Sequence, residues 1–180
     1  NPAASLRMAF SETLMNLVSV PVKGLDSVRL SANWMAACGE AEDNYALRLG
    51  VEAISKICVE LGVAIPVGKD SLSMRTQWQE NNQNLEVKSP LSGVITGMAP
   101  APDISKAITT QIHPNGSSSF YHLTLGLNTR LGGSIFSEVT SIAFDATPDI
   151  EDPQKLKVMF DTLQNMIELG WITALHDVSD

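Results

Sequence analysis

Cysteine is scarce in this chain and long apolar runs are absent from its sequence, and each lack excludes a class of protein. Its two cysteines, Cys38 and Cys58, lie in apolar surroundings with neither a CxxC pair nor a histidine nearby in sequence. That setting favours buried thiols over a redox or metal centre. No apolar run is long enough to cross a bilayer, and no signal-peptide pattern is present. We therefore expect a cytoplasmic protein with no membrane partner.

Basic residues are also outnumbered, with 12 Lys and Arg against 20 Asp and Glu and a net charge of −8. A broad nucleic-acid surface needs clustered Lys and Arg, so we expect no nucleic-acid partner. A local phosphate pocket needs only a few donors and is compatible with this charge. The 180 residues, 44% of them hydrophobic, are enough to bury a core without disulfides.

Helical and strand patterns alternate along the first half of the chain. Residues 2–20 and 42–61 repeat apolar side chains at helical spacing, and Gly62 is a typical residue to end the second helix. Residues 26–35 and 63–67 have the composition and alternation of strands. On the second helix the predicted apolar side carries Leu47, Val51, Ile54, Ile57 (or Cys58) and Leu61.

The second half begins after the clearest break in the chain, "HPNGSSS" at 113–119, where we place a domain boundary. A strand is predicted at 120–127, a long helix at 152–170, and a strand leading into a loop at 171–180. The chain begins with Asn1 rather than Met and ends on "LHDVSD". We therefore expect it to be a piece of a longer protein.

Glu12 and Asn16 are four residues apart on the first predicted helix and share a face. A carboxylate and an amide oxygen placed this way can coordinate Mg²⁺, which takes oxygen ligands. The alternative is an ordinary solvated pair on a helix surface, which the spacing alone favours.

The stretch "AIPVGKDSLSM" at 64–74 is an apolar run that ends at Gly68 and continues into polar residues. It does not match a P-loop, because five residues separate its glycines and an aspartate follows the lysine. Loops at strand ends often carry ligand groups, and lysine and serine suit phosphate. The candidates are Lys69, Asp70, Ser71 and Ser73. A solvated turn is the alternative.

Two further polar sites interrupt or follow apolar strands. Asn33, in "SANWM", must satisfy its amide if it is buried, through either a backbone hydrogen bond or a ligand. "HDVSD" supplies Asp177 and Asp180 as carboxylates and Ser179 as a hydroxyl, a second possible oxygen set for Mg²⁺ or an exposed turn. "LGGS" at 131–134 opens a helix whose N-terminus suits an anion.

Taken in order, six segments resemble one family: "AFSETLMN", "RLSANWMAACGE", "IPVGKDSLSM", "SPLSGVITG", "RLGGS" and "LHDVSD". They are similar to phosphoribosylformylglycinamidine synthase in its long single-chain form. The resemblance covers essentially the whole chain and matches the second of that enzyme's two homologous ATP-binding halves.

The resemblance implies ATP-dependent conversion of the amide of formylglycinamide ribonucleotide to an amidine, with ammonia released from glutamine by a separate glutaminase domain. ATP, Mg²⁺ and the other synthetase half are the implied partners. The isolated chain is expected to be inactive. The rival is a non-catalytic nucleotide-binding scaffold. A selenophosphate or thiamine-phosphate kinase-like enzyme is a second rival, against which "LSANWM" argues.

The resemblance also implies residue roles. Glu12, Asn16 and Asp177 match metal ligands, while Asn33 and Ser179 match nucleotide contacts. It leaves open whether that nucleotide is turned over or auxiliary, and it identifies no catalytic residue.

The segment Lys69–Ser73 matches a loop that faces nucleotide, metal and substrate phosphate in the smaller relatives. There the pattern is G-N-x-S, whereas Asp70 and Ser71 stand in this chain, so a metal role for this segment stays open. Ser73 keeps the family serine.

The implied fold is α+β, with the two-domain architecture of aminoimidazole ribonucleotide synthetase and an incomplete second domain. Residues 1–116 would form the N-terminal α+β subdomain, a sheet with helices on one face, and residues 117–180 the start of the C-terminal one. The sheet would pair with its counterpart in the other half. We therefore expect the isolated chain to expose an apolar sheet face and to dimerise.

Overall fold

A computed structural model describes residues 1–112, 118–126 and 130–178. Helices and strands are mixed along the described chain, as an α+β fold requires. The elements are α1 (Pro2–Leu17), β1 (Arg29–Met35), α2 (Ala41–Leu61), β2 (Ala64–Ser71), β3 (Arg75–Glu80), β4 (Gln83–Lys88), β5 (Ser92–Met98), α3 (Ile135–Thr140) and α4 (Pro153–Glu168). Short 3₁₀ helices occupy Leu25–Ser27 and Ile104–Lys106.

Helix α1 begins where its sequence predicts. Pro2 is in the first turn, where its missing N–H costs nothing, and the side chain of Asn1 accepts a hydrogen bond from the Ala4 N–H at 3.2 Å. Leu6, Phe10 and Leu14 are fully buried at helical spacing. The helix ends at Leu17, three residues short of the predicted end.

The central sheet has the strand order β2-β1-β5, with β1 parallel to β2 and antiparallel to β5. Leu30 and Ala32 of β1 are buried in the core, as their alternation predicts. Side chains alternate along a strand, so Ser31, Asn33 and Met35 lie on the opposite face. The helices cover the first face, and we call the second the open face.

Helix α2 ends at Gly62, whose φ of 71° is the left-handed conformation that glycine tolerates best. Ile54, Ile57 and Leu61 are buried, as predicted. The assignment of Val51 to the buried side is wrong, because its side chain is 42% exposed. Gly50 and Ala53 face the core instead, and their small size lets α1 and α2 approach.

Strand β2 is longer than predicted and lies at a sheet edge, as Pro66 indicates. Its ladder with β1 continues through the pairs Asn33–Lys69 and Met35–Ser71. The prediction that Lys69–Ser71 forms a loop after the strand is therefore wrong. Main-chain pairing does not depend on apolar side chains, and an edge strand tolerates charged ones.

Strands β3 and β4 form an antiparallel hairpin around a two-residue turn. Asn81 and Asn82 have φ values of 51° and 61°, which the primed hairpin turns require and asparagine tolerates. The hairpin is tied to the start of α2 by Lys88, whose Nζ lies 2.6 Å from a Glu40 carboxylate oxygen and 3.5 Å from Asp43.

Helix α4 begins at Pro153, capped by the Asp152 side chain, and is followed by Gly170 at a φ of 70°. Its Leu156 and Phe160 are fully buried in the same apolar cluster as α1 and α2. The boundary placed between residues 116 and 117 stays a prediction, and residues 113–117 lie outside the described part of the chain.

Two predicted strands of the second half are wrong. Residues 120–126 form no strand, residue 127 lies outside the described residues, and the segment 171–178 contributes only a single bridge between Thr109 and Ala174. The apolar composition favours strands there, but none of the described strands pairs with either segment. Across residues 1–112, 118–126 and 130–178, no helix has the length and apolar character needed to span a membrane.

Candidate functional site

A cleft of about 430 Å³ lies between α1 and β5. Its walls include Glu12 and Asn16 from α1 and Val94 and Thr96 from β5. The close approach of helix and strand depends on Gly97, because a Cβ there would lie 2.5 Å from Leu17 Cδ1. The glycines of "SGVITG" therefore shape the cleft.

Glu12 and Asn16 lie on an exposed face of α1, as their spacing predicts. The Asn16 Nδ2 donates a hydrogen bond to the main-chain oxygen of Glu12 at 3.1 Å. Among the described residues the Glu12 carboxylate forms no ion pair and the Asn16 Oδ1 accepts no hydrogen bond. One carboxylate and one amide oxygen are thus available at the cleft.

The segment that carries Asp177 is linked to the end of α1 by main-chain hydrogen bonds. The Ile108 N–H donates to the Ser19 oxygen at 2.9 Å, and the Leu175 N–H donates to the Thr109 oxygen at 3.1 Å. We call residues 107–109 the strap, because they connect the two segments. Leu175, two residues before Asp177, is therefore tied through the strap to the segment that follows α1.

The Asp177 side chain is 14% exposed, and its Oδ1 lies 3.1 Å from the His176 Nδ1. In the part of the chain that is described, no hydrogen bond or ion pair joins Asp177 to Glu12 or Asn16. Ser179, the predicted nucleotide contact, lies outside the described residues, as does Asp180.

A magnesium role for these residues stays a prediction. Across the described residues, no group of three or more His, Cys, Asp or Glu side chains could hold a metal ion. The predicted set has only two carboxylates, from Glu12 and Asp177, and its third member is the amide of Asn16. Oxygen donors of this kind are nevertheless the ones that Mg²⁺ prefers, so the chemistry of the donor set fits.

Asn33 lies on the open face of the sheet, between Lys69 on β2 and Val94 on β5. Its Oδ1 is buried and accepts no hydrogen bond from any described residue. An unsatisfied buried polar atom costs about 1–3 kcal/mol. Of the two alternatives that the sequence leaves open, a backbone hydrogen bond to Oδ1 is therefore not found among the described residues, and the ligand contact stays a prediction.

The strand alternation separates the polar residues of "GKDSLS" into two sets. Lys69 and Ser71 are on the open face with Asn33, and the Lys69 Nζ donates a hydrogen bond to the Ser71 Oγ at 2.5 Å. Asp70 lies opposite Trp34 and is directed to the other face of the sheet. Ser73 is exposed beyond the strand, where it bridges Ala37.

The predicted residues thus form two groups rather than one. Glu12 and Asn16 line the cleft, whereas Asn33, Lys69 and Ser71 share the open face. The edge strand β5 connects them, because Val94 lines the cleft and is also the register partner of Asn33.

Sequence reasoning missed Gln164, which is only 9% exposed on α4. Its Oε1 accepts a hydrogen bond from the Val22 N–H at 2.7 Å, and its Nε2 donates to the oxygens of Val18 at 2.7 Å and Val20 at 3.1 Å. The signal was available: Gln164 follows Phe160 by four residues on a buried helical face.

A three-stranded mixed sheet with helices on one face and an open second face defines an α+β domain. A family model described as the FGAR-AT PurM_N-like domain matches residues 1–100. This match spans more than half of the chain, and the chain belongs to that family. Membership connects it with the FGAR amidotransferase step of purine synthesis and with ATP-dependent, ligase-type chemistry.

Proposed function

We propose that this chain is part of the second ATP-binding half of a long single-chain FGAR amidotransferase, which converts the amide of formylglycinamide ribonucleotide to an amidine. Ammonia would come from a glutaminase domain, and the open sheet face would pair with the other synthetase half. A cytoplasmic location remains part of the proposal. The family match over residues 1–100 and the motifs that continue to "LHDVSD" support it.

Within that enzyme, the chain would bind a magnesium–nucleotide complex at the cleft beside α1. The observation that carries this proposal is the pair of oxygen donors, Glu12 and Asn16, one turn apart on the cleft wall and unoccupied by other described side chains. Asp177 would supply the second carboxylate, and Ser179 would contact the nucleotide. Bound Mg²⁺ would supply charge neutralisation for the phosphates.

The open face would receive a phosphate-bearing ligand. Lys69 offers a point charge, Ser71 offers a hydroxyl donor on the open face, and Ser73 offers another beyond the strand. Asn33, on the open face between β2 and β5, would contact the nucleotide, as the resemblance implies. Asp70 lies on the opposite face of the strand, so we do not expect it to contact the phosphate. These groups would orient the ligand rather than take part in bond making, because none is paired with a base.

The test is titration calorimetry of ATP with Mg²⁺ on the natural polypeptide that contains these residues. Glu12→Ala and Asp177→Ala should each weaken binding about tenfold or more, since each removes a charged ligand. Glu60→Ala, an exposed glutamate on α2, is the matched control and should leave affinity unchanged. Unchanged Mg–ATP affinity in both Glu12→Ala and Asp177→Ala would contradict the proposed site.

The second candidate is a scaffold whose nucleotide is never turned over. In this candidate, bound nucleotide would hold the Asp177 segment, which main-chain hydrogen bonds connect to Ser19 through the strap. In that case Glu12→Ala would remove the Mg–ATP-dependent rise in melting temperature yet leave amidine formation per folded molecule unchanged. A matching loss of turnover would instead favour the catalytic role.

A further inference from the structure

The buried Gln164 is the one polar side chain on the core face of α4, and the proposed chemistry does not use it. Its three hydrogen bonds with described residues all go to the main chain of Val18–Val22, the segment that follows α1. A glutamine amide offers one acceptor and two donor hydrogens, and here each function is matched by a main-chain partner. The side chain therefore fixes the path of this segment rather than merely filling space.

The segment held by Gln164 is also the first link to Asp177. Ser19 lies between the Val18 and Val20 oxygens that accept from Gln164, and its own oxygen accepts from Ile108 in the strap. The strap in turn holds Leu175, two residues before Asp177. A continuous series of hydrogen bonds thus connects α4 with the loop that carries the aspartate.

The same segment is continuous with Asn16. The Ser19 Oγ donates a hydrogen bond to the Asn16 main-chain oxygen at 3.2 Å. Ser19 therefore contacts both the last turns of α1 and Ile108 of the strap. A change in the course of residues 18–22 would move the Asp177 loop relative to Glu12 and Asn16. Metal affinity is sensitive to such displacements, because the ligands of one ion must converge.

We propose that Gln164 is a positioning residue for the magnesium–nucleotide site: it sets the segment Val18–Val22, and through the strap it sets Asp177 against α1. This inference rests on the proposed function. It assigns Gln164 no contact with the ligand.

The test compares Gln164→Leu, which keeps the shape but removes every hydrogen bond, with Leu156→Ala in the natural polypeptide. Leu156 is fully buried two turns earlier on the same helix, and its apolar side chain makes no hydrogen bond, so its truncation should destabilise the fold while leaving the hydrogen bonds of residues 18–22 in place. A second control is Gln154→Leu, an exposed glutamine on α4. Mg²⁺ is titrated at saturating ATP, and ATP at saturating Mg²⁺, on the folded fraction of each variant.

Gln164→Leu should weaken the apparent Mg²⁺ affinity about tenfold, the range for residues that orient metal ligands, and change the ATP affinity much less. Hydrogen exchange at the Ile108 and Leu175 amides should quicken in this variant alone. If Gln164→Leu and Leu156→Ala bind Mg²⁺ with equal affinity, or if hydrogen exchange at the Leu175 amide is unchanged, Gln164 is not a positioning residue. Neither result would contradict the proposed magnesium–nucleotide site itself. Failure of the unmodified protein to bind Mg–ATP would overturn the proposed function and this inference together.

Discussion

Replacing Asn33 by leucine should stabilise the fold and weaken nucleotide binding. The Asn33 Oδ1 is buried without a hydrogen-bond partner among the described residues, a cost of about 1–3 kcal/mol in the free energy of unfolding. Leucine has nearly the same size and carries no acceptor, so most of that cost disappears. Sites that bind ligands commonly retain such unfavourable groups.

The assay is urea unfolding in the absence of ligand, followed by calorimetry with Mg–ATP. We expect Asn33→Leu to raise the free energy of unfolding by about 1 kcal/mol, equivalent to about 2–4 °C in melting temperature for a chain of this size. Asn84→Leu, at an exposed position on β4, is the control and should change stability by less than about 0.5 kcal/mol. Destabilisation by Asn33→Leu would refute the reasoning, because it would mean that the amide is already satisfied in the free protein.

Further predictions concern the packing at Gly97, the ion pair of Asp149, the reactivity of Cys58 and self-association through the open face. Gly97→Ala should lower the free energy of unfolding by about 1–3 kcal/mol, because a Cβ there would lie 2.5 Å from the Leu17 Cδ1 of α1. An unchanged midpoint of urea unfolding would contradict this packing. Although burial opposes its ionisation, two 2.7 Å hydrogen bonds from Arg7 hold the pKa of Asp149 below its ordinary value. The stabilisation by this pair is therefore fully present above about pH 4 and lost as the pH falls through the lowered pKa; thermal melts of Asp149→Asn should lack that acid-dependent part. Burial raises the pKa of Cys58 to about 11, so iodoacetamide should modify Cys58 more slowly than the half-buried Cys38, and faster labelling of Cys58 by mass spectrometry would be inconsistent with its burial. The open sheet face should drive self-association of the 180-residue chain, and light scattering that shows a strict monomer at high concentration would count against it.

The parts of the fold that follow from local pattern were predictable. Helices α1 and α2 repeat apolar side chains at helical spacing, and Gly62 ends α2 because it tolerates the left-handed conformation. The alternation of β1 identifies its buried face. In each case the information lies within a few residues, so no partner needs to be known.

What was missed depends on partners distant in sequence. The extension of β2 through Lys69–Ser71 is set by the ladder with β1, whose partner residues lie 36 positions earlier, and no local pattern predicts that pairing. The absence of a strand at 120–126 has the same origin, since an apolar segment forms a strand only when another strand pairs with it. Gln164 was overlooked because its partners are main-chain groups some 140 residues away.

In the candidate site too, local pattern predicted some features, whereas others depend on residues distant in sequence. Spacing placed Glu12 and Asn16 on one face of α1, and both line the cleft. The separation of Asp70 from Lys69 and Ser71 follows from strand alternation, which became visible only when the loop proved to be a strand. The metal role proposed for Asp177 comes from the resemblance alone, because its local pattern did not determine one.

A double-mutant cycle on Mg²⁺ affinity, with Glu12→Ala, Asp177→Ala and the combined variant, tests the central claim most directly. If both carboxylates hold one ion, removing the second after the first should cost much less than removing it alone, so the two effects should not add. Fully additive effects, or no effect of either change, would contradict the claim that α1 and the 174–177 segment form one metal site.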